Sequence, residues 1–137
     1  VMAGSDIVAL DATGRPRLDG LSFAQTVAAL REAGTLVMAD CGSFEDAQRA
    51  VDAGVDIVST TLAGYTGDRV KTDGPDLELL REVVAAFPDV PVICEGRVHT
   101  PEQAAAAIEA GAFAVIVGTA ITHPTSITTW FKAAVEG

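Results

Sequence analysis

Short apolar runs alternate with amphipathic stretches along the chain, and glycine marks many of the changes from one to the other. Four times a helical pattern ends in Ala-Gly and a β-branched run follows, at residues 3–8, 33–37, 53–58 and 110–115. Glycine just after a helix accepts the left-handed conformation that ends it, and runs of valine and isoleucine are typical of strands buried on both faces. The pattern therefore predicts a repeating unit of helix, glycine and strand.

Five strands and five helices follow from this pattern. The strands are predicted at residues 7–10, 36–39, 57–60, 92–94 and 114–117. The helices are predicted at residues 22–33, 44–53, 76–87, 101–110 and 126–135. Because strands and helices alternate with short connections, we expect parallel strands joined by right-handed crossovers.

The predicted fold class is therefore α/β, as either an open doubly wound sheet or a (β/α)8 TIM barrel. Five units favour the open sheet by number, whereas the loops after the last two strands favour the barrel. A whole barrel needs about 250 residues, so we expect residues 1–137 to form a single domain that is the C-terminal portion of a barrel. Ala3-Gly4 also looks like the end of a helix that lies upstream.

Composition narrows the class of protein further. Apolar residues make up 49% of the chain, but no run approaches the roughly 18 residues of a membrane span. The formal net charge is −10, spread along the predicted helices, so neither nucleic acid nor a membrane is an expected partner. Cys41 and Cys94 lie in strand-like contexts and match no metal-binding spacing, which favours reduced thiols in the cytoplasm and no metal site.

Acidic and polar residues follow the predicted strands directly. They are Asp11, Asp40, Thr60-Thr61, Glu95-Gly96-Arg97 and Gly118-Thr119. In parallel β-α folds the ligand binds at the carboxyl ends of the strands, where these side chains converge. Three carboxylates on one rim favour a functional site, although each of them could also serve as a helix cap.

Residues 91–124 give the most specific indication of a binding site in the sequence. Glu95-Gly96-Arg97 and Gly118-Thr119 would occupy the loops after barrel strands 7 and 8, which bind phosphate in many TIM barrels. Glycine allows close approach of the backbone, and free N–H groups at a helix start attract anions. We therefore expect a phosphate site at Gly96, Arg97, Gly118 and Thr119, the structural alternative being two tight turns.

Several phrases together give the chain a specific resemblance that extends across nearly all of its length. They are Ile7-Val8-Ala9-Leu10-Asp11-Ala12-Thr13 with Arg15 and Arg17, Met38-Ala39-Asp40, Thr60-Thr61-Leu62-Ala63-Gly64-Tyr65-Thr66, Pro91-Val92-Ile93-Cys94-Glu95-Gly96-Arg97 and Gly118-Thr119-Ala120-Ile121-Thr122. In these residues the chain resembles the N-acetylmannosamine-6-phosphate 2-epimerases. The chain is similar to about five of the eight β-α units of that family, at the C-terminal end.

The resemblance implies an enzyme of amino sugar catabolism that inverts C2 of N-acetylmannosamine 6-phosphate to give N-acetylglucosamine 6-phosphate, without a cofactor or a metal. It implies that Glu95 is catalytic and that Asp40, Arg17 and Thr60 bind the sugar. The phosphate would be held by residues of the last two loops, namely Gly96, Arg97, Gly118, Thr119 and His123. The partner is thus a phosphorylated amino sugar.

Two departures from the family pattern affect these expectations. The catalytic lysine of the family lies on an earlier strand, and neither Lys71 nor Lys132 matches it, so we expect activity to need the preceding strands. His123 stands where the family has an arginine that helps to bind phosphate. Imidazole is charged only part of the time near neutral pH, so we expect weaker or more pH-dependent phosphate binding, or a simple cap before Pro124.

Other interpretations remain open at this point. The long loop at residues 62–75 is predicted to close over the sugar. The chain could instead belong to another phosphate-binding barrel enzyme, such as a thiazole-forming or ketose-phosphate enzyme. It could also be an inactive five-stranded binding or scaffolding module, whose open edges would pair in a homo-oligomer or with the N-terminal half of a barrel.

Overall fold

The computed structural model describes residues 4–67 and 69–137, which excludes Ala3 of the first Ala-Gly pair. The strands are β1 (Ile7–Asp11), β2 (Leu36–Asp40), β3 (Ile57–Ser59), β4 (Val92–Glu95) and β5 (Ala114–Ile116). The helices are α1 (Phe23–Glu32), α2 (Phe44–Asp52), α3 (Leu77–Ala86), α4 (Pro101–Glu109), α5 (Thr119–Thr122) and α6 (Pro124–Glu136). All five predicted strands and all five predicted helices are present, within a few residues of the predicted bounds.

The order of the strands decides between the two architectures that the sequence left open. The sheet is parallel throughout and runs β1-β2-β3-β4-β5, so every crossover moves in the same direction. A doubly wound sheet reverses its strand order at a switch point, whereas a TIM barrel does not. The fold is therefore α/β of the (β/α)8 barrel family, present as a partial barrel of five β-α units.

Side chains at the helix N-termini explain where the helices begin. Ser22 and Thr100 form capping boxes with Gln25 and Gln103, which satisfy N–H groups that the helix itself leaves free. Asp76 accepts a hydrogen bond from the Leu79 N–H at the start of α3. The sequence thus fixes the entry into each of these helices by local hydrogen bonding.

Burial alternates along the strands and separates two faces of the sheet. Side chains on one face pack with the helices into a single hydrophobic core; its largest fully buried members include Val37, Val58, Cys94, Leu79, Leu80 and Val83. The other face is more open, since Ile7 is 46% and Leu36 is 49% exposed. The expectation of strands buried on both faces therefore does not hold for β1 and the start of β2, whereas the consecutive residues Val58, Ser59 and Thr60 are all buried.

Two further features differ from the expectations or limit them. The sequence pattern missed α5, and α6 begins at Pro124 rather than at residue 126, because His123 caps it.

Cys41 and Cys94 are both buried and free, as predicted. Within residues 4–67 and 69–137, no helix combines the length and the apolar character that a membrane crossing requires.

Candidate active site

Two carboxylates lie at the carboxyl ends of strands that are not neighbours. Asp40 ends β2 and Glu95 ends β4, with β3 between them. Asp40 is in register with Ser59, and Ser59 is in register with Ile93. Two residues beyond Ser59, Thr61 therefore lies between the two acids on the same face of the sheet.

Hydrogen-bond distances connect these groups into one cluster. Thr61 Oγ1 lies 2.9 Å from Asp40 Oδ1 and 2.9 Å from Glu95 Oε2. The Ser59 hydroxyl lies 2.6 Å from Thr61 Oγ1 and 3.3 Å from Glu95 Oε2. The structure thus brings the predicted residues Asp40 and Glu95 together through two hydroxyl groups.

The environment of Asp40 favours its protonated form. Burial is the main cause that raises the pKa of this carboxyl above its ordinary value, and the negative charges of Glu95 and Asp11 add to it. The hydrogen bond from Thr61 acts in the opposite direction but does not offset burial. Asp40 is therefore suited to hold a proton at a higher pH than an exposed aspartate.

Thr60 lies on the opposite face of the sheet from Ser59 and Thr61, and it supports the backbone of Glu95. Its side chain is 2% exposed, and Oγ1 donates to the carbonyl oxygen of Glu95 at 3.0 Å and accepts from the Glu95 N–H at 3.2 Å. Both hydrogen-bonding roles of the hydroxyl are thus used within the protein. The substrate-binding role predicted for Thr60 stays a prediction, and its observed contacts hold Glu95 in position.

A pocket of about 220 Å³ opens beside Glu95. Its lining comes from the ends of β3, β4 and β5 and includes Thr61, Tyr65, Glu95, Gly96, Arg97, Val98, His99, Ile116, Gly118 and Thr119. Four of the residues predicted to bind phosphate therefore line the same pocket as the predicted catalytic glutamate. Larger cavities lie elsewhere, but Glu95 is not among their lining residues.

The backbone at Gly96 and Arg97 has an unusual conformation. Gly96 has φ 102°, and a Cβ atom at this position would lie 3.4 Å from the carbonyl oxygen of Thr61. Arg97 has φ 57°, a left-handed backbone angle that residues other than glycine adopt rarely. Such residues persist only where the surroundings fix them, and they occur often at ligand sites.

The side chain of Arg97 holds the loop at residues 62–75. Its guanidinium donates to the carbonyl oxygens of Gly74 at 3.0 Å and Ala63 at 2.7 Å, and to Thr72 Oγ1 at 2.9 Å. It also lies 5.0 Å from the centre of the Tyr65 ring, in the geometry of a cation–π interaction. Arg97 therefore ties this loop to the end of β4.

Gly118 and Thr119 begin α5 at the far side of the pocket, where they remain candidates for phosphate binding. His123 lies at the other end of this short helix and does not line the pocket. Its Nδ1 accepts a hydrogen bond from the Ser126 N–H at 3.3 Å and lies 2.7 Å from Ser126 Oγ. His123 thus caps α6, and its predicted contact with phosphate stays a prediction.

Arg17 lies away from this pocket. It lines a cavity of about 570 Å³ between the loop after β1 and helices α1 and α2. Its Nε is buried, lacks a hydrogen bond among the residues that the structure describes, and lies 3.6 Å from Asp19 Oδ1. The structure does not bring Arg17 together with Glu95, so its role in substrate binding stays a prediction.

Ser59 and His99 are site residues that the sequence pattern did not single out, whereas Thr61 was a candidate without an assigned role. Thr61 and Ser59 form the bridge between the acids, and His99 lines the pocket while packing on the Trp130 ring at 4.8 Å between ring centres. Alternation along a strand would have found the first two, because Ser59 and Thr61 share a face that Thr60 does not. No local sequence signal pairs His99 with Trp130, which lies on α6.

The donor types in this site suit a polar ligand that carries hydroxyl groups and a negative charge. Within residues 4–67 and 69–137, no group of three or more His, Cys, Asp or Glu side chains is close enough to hold a metal ion. The site instead combines two carboxylates, two hydroxyls and glycine-rich backbone. Such a set can hold hydroxyl groups, exchange protons and present N–H groups to an anion.

A family model described as "Putative N-acetylmannosamine-6-phosphate epimerase" matches residues 1–137. The chain belongs to this epimerase family. A curated relative of this name from Cutibacterium acnes is 58% identical over 136 residues, which cover 98% of this chain and 59% of that protein. A bifunctional enzyme NanE/NanK from Brucella melitensis is 43% identical over 98% of this chain and 25% of its own length.

Solved structures agree with this family assignment. The N-acetylmannosamine-6-phosphate 2-epimerase from Clostridium perfringens matches with a TM-score of 0.90 and 43% identity, covering 94% of this chain and 56% of that one. The FabK structure from Thermotoga maritima, at 24% identity and a TM-score of 0.62, shares the fold alone. The chain spans less than three fifths of the length of the first curated relatives that it matches.

Proposed function

We propose that the chain carries part of the active site of an epimerase that interconverts N-acetylmannosamine 6-phosphate and N-acetylglucosamine 6-phosphate. The observation that carries this proposal is the position of Glu95, which shares a pocket with Gly96, Gly118 and Thr119 and a hydroxyl bridge with Asp40. The substrate is the one for which the family and its relatives are named. The proposal extends that substrate to this chain.

The chemistry explains why such groups are needed. In the open-chain sugar, C2 lies next to a carbonyl, so its proton becomes removable once the developing enolate is stabilised. Inversion requires that a proton leaves one face of C2 and returns to the other. We assign Glu95 as one acid/base group, and Asp40 as a ligand of the sugar hydroxyls.

The second acid/base group is not assigned to a residue of this chain. Lys132 pairs with Glu136 at 3.7 Å on α6, and Lys71 lies over the Tyr65 ring at 4.7 Å from its centre. Neither lysine lines the pocket of Glu95. We propose that the amine is supplied by the part of the family fold that this chain does not span.

The phosphate would bind at the loops after β4 and β5. Gly96 allows a close backbone approach, and Gly118 precedes the free N–H groups at the start of α5. Holding the phosphate there would fix the sugar with C2 near Glu95 and make the proton transfer effectively intramolecular. The loop at residues 62–75, which contributes Tyr65 to the pocket, is proposed to cover the bound sugar.

The edges of the sheet favour association with further strands. β1 and β5 are the outer strands of the order observed, and each leaves backbone groups unpaired on one side. Exposed apolar side chains accompany them, since Ile7 is 46% and Ile116 is 37% exposed. We propose that these edges pair with the rest of a barrel or with a second copy. Native mass spectrometry of the chain, alone and mixed with the uncovered segment of the C. acnes relative, distinguishes these outcomes.

Exchange of the C2 proton tests the proposed reaction. The sugar phosphate is incubated in deuterated water with the 137-residue chain, and with the chain fused to the segment of the C. acnes relative that it does not cover. Deuterium at C2, measured by proton NMR, requires deprotonation there. We expect Glu95→Gln to lower the exchange rate by about 100-fold or more, since a general acid or base contributes roughly 10²–10⁴-fold.

Glu109→Gln is the matched control, because Glu109 is an exposed glutamate at the end of α4, outside the pocket. We expect it to exchange at the unmodified rate. Unmodified exchange in Glu95→Gln would remove Glu95 from the proposed mechanism. An absence of exchange in the fusion protein as well would favour the alternative of an inactive binding module.

A further inference from the structure

Three oxygen atoms crowd around the hydroxyl of Thr61. Asp40 Oδ1 and Glu95 Oε2 are each 2.9 Å from Thr61 Oγ1, and Ser59 Oγ is 2.6 Å away. All three separations are hydrogen-bond distances for oxygen atoms. Each of the three contacts therefore needs a proton between its two oxygens.

The number of protons depends on the charge of the acids. If Asp40 and Glu95 are both ionised, only the two hydroxyl protons of Ser59 and Thr61 are available for these three short contacts and for the longer contact of Ser59 Oγ with Glu95 Oε2 at 3.3 Å. At least one of the three short contacts would then lack a proton. A hydroxyl can donate one hydrogen bond and accept two. With one carboxyl protonated, Thr61 accepts from that carboxyl and from Ser59 and donates to the other carboxylate, which satisfies all three contacts.

We propose that Thr61 is a proton-bridging residue through which Asp40 and Glu95 share a single proton. When Glu95 donates its proton to Thr61 Oγ1, the original hydroxyl proton of Thr61 passes to Asp40. One O–H bond forms on Thr61 as another breaks, so the hydroxyl is regenerated and the net charge of the cluster stays the same. The reverse transfer returns the proton to Glu95.

The surroundings of the pair support the sharing. Burial and the charge of Glu95 raise the pKa of Asp40, so a proton is retained there more readily than on an exposed aspartate. The other charged or titratable residues around the pair are Asp11, whose charge acts on Asp40, and Tyr65, Arg97 and His99, which line the pocket of Glu95. Arg15 pairs with Asp11 and Arg97 binds the loop at 62–75, so neither forms an ion pair with Asp40 or Glu95.

The bridge has a consequence for the proposed reaction, and in this respect it rests on the proposed function. A shared proton lets Glu95 be ionised or protonated without exchange with solvent, because Asp40 takes up or returns the proton. Thr61 is thus a positioning residue that acts through Glu95. The proton sharing itself needs no substrate and is measured independently of epimerase activity.

Carboxyl NMR titration of the 137-residue chain, with 13C-labelled aspartate and glutamate, tests the sharing. We expect the Asp40 signal of the unmodified chain to titrate in two steps separated by more than about one pH unit, as the signal of an acid that is strongly coupled to a second acid does. In Thr61→Val, which removes the hydroxyl but keeps the branched shape, the separation should fall below that value. Thr61→Ser retains the hydroxyl and should keep both steps.

Thr35→Val provides a matched control, because Thr35 is also buried but lies outside this cluster. It should leave the two steps unchanged. Independent single-step titration of the two acids in the unmodified chain would overturn the proposal, even if Thr61→Val failed to fold. An unchanged separation in folded Thr61→Val, checked by circular dichroism, would also overturn it. If the coupling is found but the C2 exchange assay is negative, the shared proton stands and the proposed function fails.

Discussion

The ion pair of Asp76 with Arg69 offers a quantitative test of how the loop over the pocket is fastened. Asp76 is 4% exposed and caps α3, where its carboxylate accepts from the Leu79 N–H at 3.0 Å. The same carboxylate accepts from Arg69 Nε at 2.5 Å and Nη2 at 3.1 Å. Since Arg69 belongs to residues 62–75, replacing Asp76 perturbs both the helix and the loop.

The expected loss in the free energy of unfolding follows from the interactions that each substitution removes. Asp76→Asn keeps a side-chain oxygen for the cap but loses the charge-assisted bond to Arg69, worth about 1.5–3 kcal/mol. Glu78 and Glu82 lie 3.7 and 4.0 Å from the Arg69 guanidinium and offer partial compensation, so we expect a loss of about 2 kcal/mol in the free energy of unfolding. Asp76→Ala also removes the cap, worth about 1 kcal/mol, for about 3 kcal/mol in total.

The pH dependence of this loss has a definite sign. Burial raises the pKa of Asp76, but the hydrogen bonds from Arg69 and the Leu79 N–H, with the charges of Arg69 and Arg97, hold it below its ordinary value. A carboxyl with a lowered pKa stabilises the fold above its unfolded pKa of about 3.9, and this stabilisation is lost as the pH falls further. The difference between the unmodified chain and Asp76→Asn should therefore shrink from about pH 7 to about pH 3.

Urea unfolding followed by circular dichroism measures the free energy of unfolding of each variant at neutral pH and at about pH 3. Asp89→Asn is the control, since Asp89 is exposed and forms no ion pair among the residues that the structure describes. A change below about 0.5 kcal/mol for Asp76→Asn at neutral pH, the level of an ordinary surface substitution, would refute the reasoning. A difference that stays constant down to pH 3 would refute the assignment of the effect to charge.

Two other expectations concern the core and the loop. Burial raises the pKa of both the Cys41 and Cys94 thiols, so a disulfide reagent should react with neither in the native protein and with both in urea, and fast native reaction would contradict their burial. Arg97→Lys keeps the charge but cannot make all three bonds to the loop, so hydrogen exchange at residues 62–75 should accelerate about tenfold or more. Unchanged exchange would mean that Arg97 does not hold the loop.

Most of the fold could be predicted because the alternation of apolar and polar residues and the helix caps are local features of the sequence. Each strand begins within a few residues of a glycine or a proline and starts with apolar residues, and the helix starts carry caps such as Ser22 and Thr100. The short helix α5 has only four residues, too few for a period to emerge, and its presence shifts the start of α6 to Pro124. The sheet order could not be read from the pattern, because both α/β architectures share the same local signals.

The sequence predicted individual residues of the site but not the hydrogen bonds that connect them. Asp40 and Glu95 were identified because each is an acid directly after an apolar strand. Thr60 and Thr61 were identified together, and sugar binding was predicted for Thr60, because selection by position after the strand ignores which face a side chain takes. Alternation along the strand decides the face, whereas the contact of that face with both Asp40 and Glu95 depends on the register between strands, which one strand does not encode alone.

Arg97 illustrates how one residue can satisfy a structural and a functional requirement at once. A guanidinium has five N–H donors, and three are directed to Ala63, Thr72 and Gly74, so two donors remain. The predicted phosphate contact and the observed hold on residues 62–75 are therefore compatible in number. If both are made, the same cation joins the phosphate to the loop that is proposed to cover the sugar, and binding at one end of the substrate would stabilise closure of that loop over the other end. A lysine in this position has three donors on a single nitrogen and could not span the loop and the phosphate together.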